Sequence, residues 1–261
     1  MKDILIKGII LSTLASSILN AAIVIEPKSI NEVKTTEVKA SISGYLNQGN
    51  TDSNHIQAGI YTQFGNGKTY KNLVIFSYDY GEANKEKNAN KLLLHLRHTH
   101  KLYQETDIEL FVQDEFNEFQ NQKYRFLSGA NLRHRLSYFD RLFIGAGLMY
   151  SEVAPQTEGN ADITRKKVKI NTYMAYEKKI NKTLTFNMLL FFQPTLYNFN
   201  TENFKVDIED FRLSSYANFE TKITKELSFT TGLNYFYHSK PFEGIEKDDL
   251  KLTVGINYKF K

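Results

Sequence analysis

Leu250-Lys251-Leu252-Thr253-Val254-Gly255-Ile256-Asn257-Tyr258-Lys259-Phe260 places an apolar side chain at every second position along eleven residues. A β-strand sends successive side chains to opposite faces, so this segment is oily on one face and polar on the other. The alternation recurs along the chain, and beyond the N-terminal segment there is no apolar run long enough for a membrane-spanning helix. About ten residues of this pattern form the unit of a transmembrane β-barrel, whose outside meets lipid and whose inside meets water.

Twelve such segments are predicted, at 37–48, 53–64, 69–81, 89–102, 106–118, 123–137, 140–152, 165–178, 182–194, 206–222, 226–238 and 249–260. Leu92, Leu94 and Leu96 alternate with Lys91, His95 and Arg97. Leu142, Ile144, Ala146, Leu148 and Tyr150 alternate with Arg141, Gly145 and Gly147. The odd connections read as long and polar, including 47–52, 82–88, 152–164, 197–205 and 239–248. The even ones are mostly short, such as 65–68 and 223–225. Outer-membrane barrels have long outer loops and short periplasmic turns, so this parity puts both termini in the periplasm. The expected fold is therefore all-β, a transmembrane antiparallel up-and-down β-barrel of about twelve strands.

Residues 1–21 have the layout of a secretory signal peptide. Lys2 and Lys7 precede an apolar stretch from Gly8 to Leu19, then Ala21 and Ala22 offer small residues for cleavage. Residues 22–36 have no period and read as a periplasmic tether, with the barrel over 37–261. No cysteine is present, so an exported chain must rest on hydrogen bonds and burial alone. A closed barrel provides this because no strand is left as an open edge. The net charge of +4 is small and its cations are interspersed with carboxylates, which gives no basis for nucleic-acid binding. A mean hydropathy of −0.42 would disqualify a helical membrane protein, but a barrel needs apolar residues only at alternate positions. The 16 tyrosines suit aromatic girdles at the two interfaces. Phe260 stands on the outward face near the end, as bacterial barrels usually finish, although Lys261 follows it.

At the first hairpin the chain reads Gly44-Tyr45-Leu46-Asn47-Gln48-Gly49-Asn50-Thr51-Asp52-Ser53. This resembles the opening Gly-Asn-Thr-Asp/Asn hairpin of the DUF481 family, labelled salt-induced outer membrane proteins. Lys87-Asn88-Ala89-Asn90-Lys91, Tyr124-Arg125-Phe126, Ser128-Gly129-Ala130 and the Gly145-x-Gly147 segment are similar to further stretches of that family. The resemblance implies an outer-membrane barrel and carries over no catalytic residue.

Gly49-Asn50-Thr51-Asp52 could hold an ion, but the same residues are what a tight turn demands. His95, His98 and His100 cannot close on one metal, because alternation puts His95 on the opposite face from the other two. A lipase-like or acyltransferase-like site would need Ser and His within hydrogen-bond reach. His238 and Ser239 are adjacent and point apart, so no enzyme, metal or cofactor is expected. Surface adhesion through the loops is a further reading, without an adhesive motif to support it. Lys91, Arg97, Arg125, Arg133, Arg135, Lys167, Lys169 and Arg212 should point into the lumen with Glu109, Glu115, Asp210 and Glu220. Such charges either select anionic solutes in a narrow pore or pair across the lumen and fill it. A packed or very narrow lumen is the favoured reading, with a structural role or restricted passage of small polar or anionic solutes. The expected setting is the outer membrane of a Gram-negative envelope. The expected partners are the lipid bilayer and, during biogenesis, the barrel assembly machinery, around a monomer.

Overall fold

In a computed structural model, which describes residues 28–47, 53–139, 141–156 and 163–260, the chain forms a closed barrel of twelve antiparallel strands. Residues 1–21 and the segment Gly49-Asn50-Thr51-Asp52 lie outside the described residues. The strands are β1 Glu37–Asn47, β2 Ser53–Gly65, β3 Tyr70–Ala83, β4 Glu86–Tyr103, β5 Thr106–Asn117 and β6 Gln122–Leu136. They continue with β7 Arg141–Pro155, β8 Arg165–Lys179, β9 Leu184–Asn198, β10 Asn203–Lys222, β11 Leu227–His238 and β12 Asp248–Phe260. Each pairs with its sequence neighbours, and β1 meets β12 from Val38↔Phe260 to Ile42↔Ile256. Every strand thus has two hydrogen-bonded partners, and no edge remains.

The distribution of side chains is the reverse of a water-soluble core. Ile42, Ile60, Leu110, Leu148 and Ile256 are exposed on the outer wall, with Leu148 at 52%. Glu109, Thr99, Thr230 and Thr253 are each about 1% exposed on the inner one. In β12 the residues Leu252, Ile256 and Tyr258 face out while Thr253, Gly255 and Asn257 face in. Aromatic rings cluster at both rims of the wall. Tyr176, Phe186 and Phe219 form a chain at the end bearing the termini, joined there by Tyr258 and Phe260. Tyr150, Tyr197, Phe199 and Phe204 form another at the opposite end.

Two of the long connections expected from the sequence are short. The stretch 82–88 is mostly strand, because Asn84 and Lys85 both adopt left-handed backbone (φ 51° and 66°) and close a two-residue hairpin. That conformation at both central positions matches the twist of the flanking strands. Likewise β9 and β10 continue to Asn198 and from Asn203, leaving only 199–202 as connection. Polar composition marked these segments as loops, but it is equally suited to strands that run past the apolar band into water.

Residues 28–36, the described part of the aperiodic N-terminal segment, pack against the barrel end that carries the even turns. A short 3-10 turn, Ile30–Glu32, buries Ile30, and Val33 is buried just after it. Glu32 closes a capping box with Ser29, its carboxylate accepting the Ser29 backbone N–H at 2.7 Å. Lys28 pairs with Glu37 and Glu32 with Arg141 on β7, so this segment crosses from β1 to the far wall.

Candidate functional site: the barrel lumen

The inward face of each strand supplies the lumen, and its contents differ between the two halves. Toward the termini, Glu109 on β5 is the hub. Arg97 on β4 lies 3.5 Å from its carboxylate and Arg133 on β6 3.8 Å. The Tyr173 hydroxyl, from β8, donates to it as well. Arg133 also lies 4.0 Å from Asp107, and its guanidinium stacks 3.7 Å over the Phe143 ring. Its Nη2 donates to the backbone carbonyl of Lys28 at 3.0 Å, and Lys71 on β3 donates to that same carbonyl. Six strands, β3 to β8, and the N-terminal segment thus converge on one charged cross-section. Below it, Arg141 bridges Glu32 and Glu177.

Apolar side chains fill the gaps between these charges. Phe111, Leu127 and Met149 form one cluster, Phe143, Tyr173 and Ala175 another, and Tyr61, Leu73 and Ile75 a third. Tyr173 lies flat because Gly145 stands opposite it in the β7–β8 register. A Cβ at Gly145 would lie 2.1 Å from the tyrosine ring. Above this level, Asn131, Asn171 and Gln193 form an amide ladder with bonds of 3.1 and 2.8 Å.

The half farther from the termini contains a cavity of about 510 Å³. Its second carboxylate hub, Glu115, lies 3.0 Å from Lys91 and 3.1 Å from Arg125. Two strands away on β3, Asp79 takes His55 at 2.7 Å and Lys251 at 2.6 Å. Lys167 and Lys169 share Asp210, while Arg212 lines the cavity beside them. Arg135 sits near the termini, 3.9 Å from Glu105.

The connection after β11 folds inward over this cavity. Phe242 is buried under the Arg165 guanidinium, 4.2 Å from its ring, and Arg165 donates to the carbonyls of Lys240 and Pro241. Lys240 reaches Asp207 at 3.1 Å, and that bond raises the Lys240 pKa. In the connection after β5, Glu118 accepts from Asn90 at 2.6 Å and Lys87 at 3.0 Å. Those two bonds hold its carboxyl below the ordinary range.

His95 faces inward against Gln113, whereas His98 faces outward to Asn72 and stacks with Tyr70 and His100. The Ser239 hydroxyl accepts from the Phe211 N–H and donates to the Phe211 carbonyl, stitching β10 to β11 rather than meeting His238. The sequence reading did not name Lys71, Asp79, Asp107, Tyr173 or Lys251 for the lumen. Of these, Tyr173 carried a signal, namely a large inward ring across from an inward glycine.

A closed, greasy-walled barrel with a charged lumen defines the class of outer-membrane β-barrels. The fold resembles the translocator domain of the autotransporter NalP from Neisseria meningitidis, at TM-score 0.53 and 10% identity, covering 87% of this chain and 88% of that one. It also resembles the NanC porin, at TM-score 0.50 and 12% identity, covering 87% and 100%. No curated protein is significantly similar to it in sequence. The model of the family described as protein of unknown function DUF481 matches residues 40–260, and the chain belongs to that family.

Proposed function

We propose that the protein is a monomeric barrel of the Gram-negative outer membrane that is closed toward the periplasm. It reaches that membrane through a cleaved signal peptide and the barrel assembly machinery, and serves the envelope as a structural element rather than an open pore. The observation carrying this reading is the cross-section at Glu109, where charges from four strands meet and the Lys28 carbonyl takes donors from Lys71 and Arg133. Hydrated ions cross a pore only where side chains leave room for water, and here side chains occupy the lumen at that level.

Single-channel recording in a planar bilayer tests the closure. The native protein is expected to be silent at moderate voltage. The Lys71→Ala/Arg133→Ala double variant frees the Lys28 carbonyl and removes two long side chains, so stepwise current is expected from it. Steady conductance from the native protein would refute the closed reading. The membrane setting has its own test. Leu148→Arg on the outer wall should cost about 2–4 kcal/mol of folding stability in lipid vesicles if that position sits near the bilayer midplane. Chemical denaturation of the refolded protein reads this out, and an unchanged midpoint would argue against a lipid-facing wall.

A further inference from the structure

We propose that the cavity in the loop-bearing half is a binding site for a small organic anion, one bearing a carboxylate or phosphate group, with Arg212 and Arg125 as its main contacts. The inference deepens the closed-barrel reading by assigning a ligand class to its cup, but binding does not depend on whether the lumen conducts.

Charge within the cup changes with depth. The cup's outer end is lined by exposed residues of the connections after β5 and β11 and of the start of β12, with Phe119, Glu246, Lys247, Asp248 and Asp249 among them, so it reaches solvent among the described residues. Below that rim, Lys91, Arg97, Arg125, Arg212 and Lys251 line the cavity against two carboxylates, Asp79 and Glu115, so the excess of cations lies at depth and not over the whole lining. Glu109, beneath the floor, pairs with Arg97 but is shared with Arg133. Asp79 is engaged by His55 and Lys251, and Asp210, behind Arg212, by Lys167 and Lys169.

The excess at depth falls on particular atoms. The Arg212 side chain makes no ion pair and no hydrogen bond with any described residue, although Arg125, Glu115 and Asp210 lie near enough to act on it electrostatically. Arg125 spends its Nη1 on Glu115, while its Nε is buried with no partner. The Arg125 side chain is only 10% exposed. A guanidinium presents five donors in a planar fork that matches carboxylate and phosphate oxygens, and leaving such donors unpaired out of bulk water is costly. An oxyanion between Arg212 and Arg125 would satisfy these donors and the local positive charge together.

The walls of the cup set the ligand's size and body. The cavity of about 510 Å³ falls within the range of small-molecule sites. Phe191, Tyr216 and Phe236 contribute rings to its wall, and Lys91 lies 5.8 Å over the Phe236 ring. The ligand is therefore more than an inorganic ion, with a compact body to lie along those rings. The acidic residues at the rim stand in water, where their repulsion is screened over about 8–10 Å. They slow entry more than they weaken binding at depth.

The test is calorimetric titration of the folded full chain in detergent micelles with glucose 6-phosphate and succinate, glucose serving as the neutral control and inorganic sulfate as the bare ion. All four stay in water, so partition into micelles does not mimic binding. Glucose 6-phosphate or succinate should bind at least tenfold tighter than glucose and tighter than sulfate. Arg212→Gln should weaken that binding tenfold or more without moving the thermal midpoint, and Arg212→Lys should recover part of it. Lys101→Gln, exposed at the opposite end, should change nothing. If Arg212→Gln does not fold, Lys91→Gln carries the same expectation. Equal binding of glucose, sulfate binding as tightly as the organic anions, or full affinity in Arg212→Gln would overturn the proposal. A silent native barrel with no anion binding would defeat this inference alone, whereas a conducting barrel that binds anions would defeat only the closure.

Discussion

Replacing Glu109 with Ala lowers the stability of the folded barrel by about 3–5 kcal/mol, the usual cost of removing one partner from a buried charge pair. The glutamate is 1% exposed and holds together Arg97, Arg133 and Tyr173 from three other strands. Without it two guanidinium groups face each other, with Asp107 left at 4.0 Å from Arg133 as the compensating carboxylate. Glu109→Gln keeps an acceptor for the Tyr173 hydroxyl and the same volume, so a smaller loss is expected. Urea unfolding in lipid vesicles, followed by the shift of the folded species on unheated gels, measures both. A loss below about 1 kcal/mol for Glu109→Ala would mean that water or counter-ions, not the protein, neutralise the arginines.

Gly145→Val gives a loss of similar size by another route. The new side chain claims the space of the Tyr173 ring, whose Cε1 would be 2.1 Å from the first added carbon. The ring has no easy retreat, because Phe143, Ala175 and Phe191 pack around it. Overpacking costs about 1–3 kcal/mol. Losing the tyrosine's bond to the carboxylate adds about 1.5–3 kcal/mol. The signature of this mechanism is non-additivity. In a Tyr173→Leu background the smaller side chain yields, so Gly145→Val should cost much less there. Purely additive losses in that double-mutant cycle would sink the explanation.

The contrast between these two residues shows what could be read from the chain. Gly145 and Tyr173 lie on adjacent strands, and their meeting needs only the β7–β8 register, which alternation nearly specifies. Glu109 and Tyr173 meet across the lumen from strands separated by two others, and Asp79 and Lys251 stand 172 residues apart. No local pattern encodes those distances. The same limit applies to the inward set as a whole. The strand pattern placed Arg97, Arg125 and Arg133 on one face with Glu109 and Glu115, but it did not indicate which cation each carboxylate would take. Nor did it separate Arg212, which remains unpaired, from Lys167, which pairs with Asp210.

Residues 28–36 and the connection after β11 show a second limit. Both read as aperiodic, polar or mixed sequence, yet one seats Ile30 and Val33 against the barrel end and the other tucks Phe242 beneath Arg165. Periodicity reports the regular repeat of a strand and is silent for a segment whose few anchors find irregular pockets.

What the chain determined by itself was the period of two: which residues face outward, which face inward, and how many strands there are. Alternation along a pleated strand is a local consequence of backbone geometry, and it survives whatever the strand's neighbours are. Closure into a cylinder then decided the rest, namely which charges neutralise one another, where the lumen is filled and where a cup remains. Those outcomes depend on distances across the barrel, which exist only once β1 has met β12.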